Sequence, residues 1–375
     1  MRFIDEYRDG ELGQRLLRSL RASVEGRPAL RFMEVCGTHT VSIFRSGLRP
    51  ALPPEISLLS GPGCPVCVTP QRDIDKAIEL AGRPEVVLVT FGDMLRVPGT
   101  RTSLETERAR GAEVRIVYSP GDALGIAERQ KSKKVVFFGV GFETTAPAVA
   151  LVVREAQRRG LDNFFLLSVH KLIPPALRAL LDGPCCRDVA RNVPTARTAI
   201  DGFILPGHVS AIIGADAYSF LGNDYRRPGV VTGFEPLDVL QGISMLVHML
   251  ADGRKGVAVQ YRRAVTNEGN LVAQRVLAEV FEPVNATWRG LGEIPLSGLA
   301  LRQEYADVDA ERVFDIHVGY SSEPAGCSCG EMLRGVKQPY ECGLFATACT
   351  PDHPIGPCMV SSEGTCAAYY QYGER

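Results

Sequence analysis

The sequence predicts an α/β protein, with two doubly wound parallel-sheet domains that face a cleft and a mainly helical and irregular C-terminal domain. Between residues 31 and 235, short apolar runs alternate with helical segments, a pattern typical of parallel sheets. The runs are apolar almost throughout, as expected of strands covered on both faces. After Glu323 the chain is rich in glycine, proline, serine and cysteine, and a metal site could supply the stability that such a segment lacks.

The individual elements can be placed along the chain. Leucines at helical spacing predict an amphipathic helix within residues 1–30. One later helix is predicted to begin at Thr69 and Pro70 and to end at Gly82, and another to end at Gly160. Beyond Pro236 the chain is predicted to be mostly helical. The predicted strands are 31–35, 56–60, 85–91, 114–118, 134–140, 163–169, 201–205 and 229–231.

These elements suggest a division into domains. A charged segment near residue 130 separates α/β domain I (31–130) from α/β domain II (131–235), and residues 1–30 form the N-terminal helix. Residues 236–375 are expected to form a helical domain that carries the clustered cysteines. The length of 375 residues allows two or three such domains.

Composition narrows the class of protein. The formal net charge is −1 and no basic stripe is present, so nucleic-acid binding has no support. The N-terminus has no apolar signal segment, and the most apolar stretch carries Glu143, so no membrane association is expected. We therefore expect a cytoplasmic protein. Eleven cysteines in a reducing compartment favour metal ligands or redox centres over structural disulfides.

Polar residues follow several predicted strands, where open α/β sheets bind ligands. Each could instead cap a helix or fill the core, and the loop GVGFET lacks the third glycine of a dinucleotide-binding loop. Reactive or ionisable side chains nevertheless follow so many of the strands that together they predict a functional site. Its candidate residues are Cys36, His39, Cys64, Cys67, Asp93, Glu143 and His208.

Two groups of cysteines have informative spacing. Cys64 and Cys67 form a Cys-x-x-Cys turn ahead of a helix start, which favours a redox dithiol with lowered thiol pKa over half of a zinc site. The C-terminal spacing suits either zinc or a [4Fe–4S] cluster, and Cys329 and Cys358 could substitute as ligands. The adjacent Cys185 and Cys186 are taken as incidental. The four C-terminal candidates are Cys327, Cys342, Cys349 and Cys366.

The chain resembles the HypD family of hydrogenase maturation factors over nearly its full length. The matching motifs are CGTHT (36–40), GPGCPVCVTP (61–70), GFETTAP (141–147), PGHVSAIIG (206–214), CMVSSEGTC (358–366) and the four-cysteine spacing. Many members have a second histidine where this chain has Val41, so a role for that histidine has no support here.

The resemblance implies a function. The protein would be a scaffold with a redox role that assembles the Fe(CN)2CO group of [NiFe]-hydrogenases, with a small HypC-type chaperone and a HypE-type cyanide donor as partners. Cys36 would bind the transient iron with its CN and CO ligands, His39 would orient groups or accept a proton, and Cys64 and Cys67 would cycle between dithiol and disulfide. Asp93, Glu143 and His208 would position incoming groups.

The same resemblance implies a [4Fe–4S] cluster at Cys327, Cys342, Cys349 and Cys366, as in ferredoxin:thioredoxin reductase, where a cluster lies beside a disulfide. Two other functions remain open. One is an iron–sulfur thiol–disulfide oxidoreductase, which needs no iron at Cys36. The other is a zinc-stabilised interaction module.

Overall fold

A computed structural model describes residues 5–183 and 200–373 of the chain. Cys185 and Cys186 lie outside the described residues. The strands are β1 Leu30–Glu34, β2 Ile56–Ser60, β3 Val86–Thr90, β4 Val114–Ile116, β5 Lys134–Gly139, β6 Phe164–Ser168, β7 Gly202–Pro206, β8 Pro228–Thr232, β9 Gly256–Val259, β10 Phe281–Trp288 and β11 Gly292–Leu301.

The α-helices alternate with these strands until β9 and dominate near the C-terminus. They are α1 Gly10–Val24, α2 Gly37–Arg45, α3 Leu48–Ala51, α4 Pro65–Val68, α5 Gln71–Ala81, α6 Gly92–Leu95, α7 Leu104–Ala109, α8 Gly121–Arg129, α9 Ala146–Arg159, α10 Ile173–Asp182, α11 Gly207–Ile213, α12 Phe220–Asn223, α13 Pro236–Ala251, α14 Leu271–Val280, α15 Ala310–Val313, α16 Cys329–Leu333, α17 Pro357–Val360 and α18 Thr365–Tyr372. Short 3-10 helices lie at Asp5–Tyr7, Asp216–Tyr218, Gln303–Val308 and Pro339–Glu341.

Two parallel sheets form the body of the protein, which confirms the predicted fold class. The first sheet has the strand order β2-β1-β7-β8-β9, and the second has the order β4-β3-β5-β6. All neighbours in both sheets run parallel. The central strands are buried along most of their length, because helices cover both faces of each sheet.

The strand pairing does not follow the expected division of 31–130 and 131–235. The second sheet, built from residues 86–168, is inserted between β2 and β7 of the first sheet. β7 was expected in domain II, but it pairs with β1, with Phe32 opposite Gly202 and Glu34 opposite Ile204. Apolar periodicity identifies a strand but not its partner, so the sequence could not show this interleaving.

The prediction of a mostly helical chain beyond Pro236 was only partly correct. Helices α13 and α14 are present, but β9 adds a fifth strand to the first sheet. β10 and β11 then form an antiparallel hairpin with a bulge near Ala286. After residue 313 the chain is irregular with short helices, as expected.

Each sheet has one switch point. There, the connections that follow two neighbouring strands leave toward opposite sides of the sheet order. In the first sheet this point lies between β1 and β7, and in the second it lies between β3 and β5. Loops at the carboxyl ends of such strands leave a crevice that commonly binds ligands. Within the described ranges, no helix combines the length and the apolar character needed to cross a bilayer.

Candidate functional site

Cys36 lies at the switch point of the first sheet. It follows β1 by two residues and is the N-cap residue of α2. Its sulfur is 3.9 Å from Nε2 and 4.0 Å from Nδ1 of His208, which lies in α11 just beyond β7. Burial raises the pKa of the Cys36 thiol to about 12, and the carboxylate of Glu363 acts in the same direction. The thiol therefore keeps its proton near neutral pH unless a cation displaces it.

The two histidines of the site have different surroundings. The rings of His39 and His208 stack on Phe234, with centroid distances of 4.7 Å and 5.1 Å. Burial lowers the pKa of each imidazole to about 4, so both are neutral at pH 7. The Nε2–H of His39 donates to the Gly233 carbonyl at 2.9 Å. His208, rather than His39, is therefore the imidazole whose ring contacts the Cys36 thiol.

The Cys-x-x-Cys segment packs directly against Cys36. Because β1 and β2 are adjacent and parallel, their carboxyl ends place residues 36 and 63 side by side. The N–H of Gly37 donates to the Gly63 carbonyl at 3.1 Å. A Cβ atom on Gly63 would lie 2.2 Å from the Cys36 nitrogen, so only glycine permits this approach. The backbone of Cys36 therefore lies against that of Gly63, the residue before Cys64.

The environment of the dithiol differs from the one expected. Cys64 is the N-cap residue of the four-residue helix α4, and its sulfur accepts a hydrogen bond from the Cys67 N–H at 3.3 Å. The next helix, α5, begins at Gln71 and not at Pro70. Burial, together with the neighbouring Cys358 and Cys64 thiols, raises the pKa of Cys67 well above its ordinary value. The low thiol pKa predicted for this turn is therefore not found at Cys67.

A third thiol, Cys358, connects the dithiol to the C-terminal cysteines. Hydrogen bonds from the Cys329 and Cys67 thiols lower the pKa of Cys358 despite its complete burial. The sulfur of Cys329 lies in turn 3.3 Å from that of Cys327. Sequence reasoning gave Cys329 and Cys358 no distinct role. The signal available was their position inside the cysteine-rich segment, which does not reveal their partners.

The C-terminal cysteines surround one small cavity of about 10 Å³. Each of the four predicted ligands lines it, and Cys329 does so as well. Apolar side chains, including Leu344, Phe345 and Met359, complete the wall. The N–H of Ile355 donates to the Cys349 sulfur at 3.3 Å, as backbone amides do around iron–sulfur clusters. The donors are thiols in an apolar pocket where one backbone amide points at a sulfur, which fits the chemistry of an iron–sulfur cluster.

Among residues 5–183 and 200–373, no three histidine, cysteine, aspartate or glutamate side chains are arranged to hold one ion.

The loop before α18 reaches back to the switch points. Ser361 donates to Asp93 Oδ2 at 2.9 Å, and Thr38 donates to Glu363 Oε1 at 2.7 Å. A Cβ atom on Gly37 would lie 2.3 Å from the Glu363 carbonyl oxygen. Asp93 thus anchors this loop, and Glu363, which the sequence analysis did not select, lies beside Cys36.

Glu143 is buried beyond β5, at the switch point of the second sheet. Its Oε1 accepts a hydrogen bond from the Ile173 N–H at 2.9 Å, whereas its Oε2 has no hydrogen-bond partner. Burial raises the pKa of this carboxyl to about 7. Burial likewise raises the pKa of the Tyr218 phenol above its ordinary value.

Comparison with known proteins identifies the family. The HypD family model, described as "Hydrogenase formation hypA family", matches residues 11–373. The chain belongs to the HypD family. This confirms the resemblance inferred from the motifs.

Curated relatives in this family cover the whole chain. The hydrogenase maturation factor HypD of Rhizobium leguminosarum bv. viciae is 49% identical over 375 residues, which are 100% of this chain and 96% of the relative. The Cupriavidus necator factor of the same name is 48% identical over 377 residues, with 100% and 97% covered. The Escherichia coli K12 factor is 46% identical over 382 residues, with 100% and 99% covered.

Proposed function

We propose that this protein is a hydrogenase maturation factor, a scaffold with a redox role on which the Fe(CN)2CO group of [NiFe]-hydrogenases is assembled. Its proposed partners are a small HypC-type chaperone and a HypE-type cyanide donor, and its proposed location is the cytoplasm. The observation that carries this proposal is the contact of Cys36 with the Cys-x-x-Cys loop, from which a row of buried thiols continues to the cysteine pocket.

Cys36 is the proposed ligand of the iron under construction. A thiolate is a soft ligand suited to iron that also carries cyanide and CO. Iron binding would displace the thiol proton that burial otherwise retains. The neutral ring of His208 at 3.9 Å can then face the iron and its ligands without adding charge. The partner chaperone would supply further ligands to the iron.

Cys327, Cys342, Cys349 and Cys366 would hold the [4Fe–4S] cluster, which when bound supplies electrons one at a time. All four thiols line the same pocket, and burial raises the pKa of Cys349. Hydrogen bonding to Cys329, followed by burial, raises the pKa of Cys327 and Cys366. Cys327, Cys349 and Cys366 would therefore lose their protons on binding iron and not before it.

The row of thiols supports exchange between the dithiol and the pocket. Oxidation of Cys64 and Cys67 to a disulfide would release two electrons and two protons to the assembly step. The Cys358 thiolate could then attack the Cys67 sulfur, with Cys64 leaving as a thiolate. Attack of Cys329 on Cys358 would release Cys67, so that the disulfide moves to Cys329–Cys358 and the dithiol is restored. No electrons are gained or lost in this exchange.

Infrared spectroscopy of the anaerobically purified protein with its chaperone tests the proposal. Cyanide and CO stretching bands should be present in the wild type and absent in Cys36→Ala. Val41→Ala, which alters the same helix without removing a thiol, is the matched control and should keep the bands. Bands that survive in Cys36→Ala would overturn the assignment of this ligand.

The thiol row also favours a second candidate, an iron–sulfur thiol–disulfide oxidoreductase. That function needs the dithiol and the cysteine pocket but no iron at Cys36. Complete absence of cyanide and CO bands, together with disulfide reduction that depends on Cys64 and Cys67, would select it. Zinc in place of iron and sulfide on metal analysis would instead select an interaction module.

A further inference from the structure

A cavity of about 380 Å³ lies beside the carboxyl end of β6. Its wall is formed by the start of α5, by residues 168–171, by the β10–β11 hairpin and by residues 309 and 311. The volume falls within the range of pockets that bind small molecules. The described residues that line this cavity include none of the candidate site residues discussed above, so it is a separate feature of the protein.

The hairpin is fixed against the segment that follows β6. Lys171 and Gly298 form an antiparallel bridge, and the N–H of Leu299 donates to the His170 carbonyl at 3.2 Å. A bulge interrupts β10 after Val284, which itself lines the cavity. Bulges are frequent beside functional sites, because they redirect the side chains of a strand. The cavity therefore has a preformed wall on this side.

Lys171 is a buried cation in the wall of this cavity. Its residue is only 4% exposed, and its Nζ is 3.7 Å from Oδ2 of Asp73, which is longer than a hydrogen bond. An ammonium carries three N–H donors, so this one contact leaves donors for a ligand. Burial lowers the pKa of the Lys171 ammonium, because the charge has lost its contacts with water. A bound anion would stabilise that charge.

The carboxylates that line the cavity are paired with other cations. Lys76 Nζ is 3.3 Å from Asp73 Oδ1 and also forms an ion pair with Glu311. Asp309 Oδ2 is 3.3 Å from the Nε of Arg312. These pairs neutralise the negative charge of the wall.

A second cation of the wall has no such partner. Arg72 is exposed at the cavity, and its guanidinium forms no ion pair or side-chain hydrogen bond with any of the residues that the structure describes. The start of α5, an 11-residue helix without a side-chain cap, lies at the same wall, and its dipole adds partial positive charge there. The charge that remains uncompensated around the cavity is therefore positive.

We propose that this cavity binds a small molecule through a carboxylate or phosphate group, which Lys171 and Arg72 hold from two sides. Both cations donate charge-assisted hydrogen bonds, which are the strong ones for such oxyanions. Val284 and Leu301, which also line the cavity, would contact the apolar part of the ligand. The site needs no iron at Cys36, so it does not depend on the proposed function.

The experiment measures thermal unfolding of the full-length protein, purified anaerobically, at rising concentrations of sodium phosphate or sodium succinate. Sodium chloride keeps the ionic strength constant, so general screening does not change during the titration. The melting temperature of wild type should rise saturably with at least one of the two anions, because the ligand binds only the folded protein.

Three variants test the two cations. In Lys171→Met the dissociation constant should rise by about tenfold or more, since a hydrogen bond to a charged group is lost. Arg72→Ala removes an exposed side chain and should weaken binding severalfold without disturbing the fold. The matched control is Lys131→Met, which removes an exposed lysine outside the cavity wall and should bind as wild type does.

Each outcome decides the question. A saturable response that Lys171→Met and Arg72→Ala weaken and Lys131→Met retains would support the site, and a preference for one anion would show whether it takes a carboxylate or a phosphate. Equal responses of all four proteins would overturn the proposal, because a general salt effect acts on each alike. Absence of a response to both anions in wild type would overturn it too. If Lys171→Met does not fold, Arg72→Ala decides, and an unchanged response of that variant would count against the site.

Discussion

Replacing Gly63 by alanine should force the Cys-x-x-Cys loop away from Cys36. The added Cβ would lie 2.2 Å from the Cys36 nitrogen, 2.3 Å from its Cα and 2.5 Å from the Val35 carbonyl carbon. These are backbone atoms, so no change of rotamer relieves the collision. Overpacking costs about 1–3 kcal/mol, and loss of the Gly37 N–H to Gly63 hydrogen bond adds about 1 kcal/mol. We therefore expect the free energy of unfolding to fall by about 2–4 kcal/mol.

The assay is urea unfolding followed by circular dichroism under anaerobic, reducing conditions. Gly319→Ala is the matched control, since no atom lies within 4 Å of its added Cβ. The control should change the unfolding free energy by less than about 0.5 kcal/mol. Alkylation of Cys36, followed by mass spectrometry, should also become faster in Gly63→Ala. Equal stability of Gly63→Ala and Gly319→Ala would refute the proposed close packing of the two loops.

Three further changes probe the buried charges and the cysteine pocket. Burial raises the pKa of Glu143 from its ordinary 4.5 to about 7. Folding therefore favours its protonated form, and wild type should lose up to about 3 kcal/mol of unfolding free energy relative to Glu143→Gln as the pH rises through this window; parallel pH profiles would contradict this. Arg49→Ala removes the cation 3.6 Å from the buried Glu34 carboxylate. The free energy of unfolding, measured in urea, should fall by about 3–5 kcal/mol. A fall of less than about 1 kcal/mol would show that Glu34 does not depend on this cation. In Gly356→Ala the added Cβ would lie 2.6 Å from two cysteine sulfurs of the pocket, so iron and sulfide per chain should fall after anaerobic reconstitution, whereas Gly343→Ala should match wild type. Equal iron content in both variants would contradict the proposal that this pocket holds the iron–sulfur cluster.

The strands that sequence reasoning placed correctly share one property. They are short apolar runs buried on both faces, such as β3 and β5, so their pattern does not depend on which strand lies beside them. β10 was missed because it is half exposed and bulged, which weakens the alternation. The pairing of β7 with β1 was missed for a different reason. It joins residues about 170 positions apart, and no local pattern encodes that choice.

In the candidate site too, residues that the local sequence pattern identifies were predicted, whereas residues that distant contacts bring into place were missed. Cys36, Cys64 and His208 were predicted because each directly follows a strand, and strand ends of parallel sheets meet at one edge. Glu363 was missed because it lies in a segment without periodicity, which a hydrogen bond from Thr38 holds in place. His39 was placed correctly along the chain, but its ring turns toward Gly233, just beyond β8, whose carbonyl accepts a hydrogen bond from its Nε2–H.

Interleaving of the two sheets explains why the site can combine so many functional groups. A single doubly wound sheet offers one switch point, whereas here the insertion of the second sheet between β2 and β7 adds a second one. The C-terminal loop then contacts both, because its Ser361 donates a hydrogen bond to Asp93 and its Glu363 accepts one from Thr38. Because the same loop lies between Cys358 and Cys366, its docking also sets the distance from Cys67 to the cysteine pocket. This loop therefore connects the surroundings of Cys36 to the cysteine pocket.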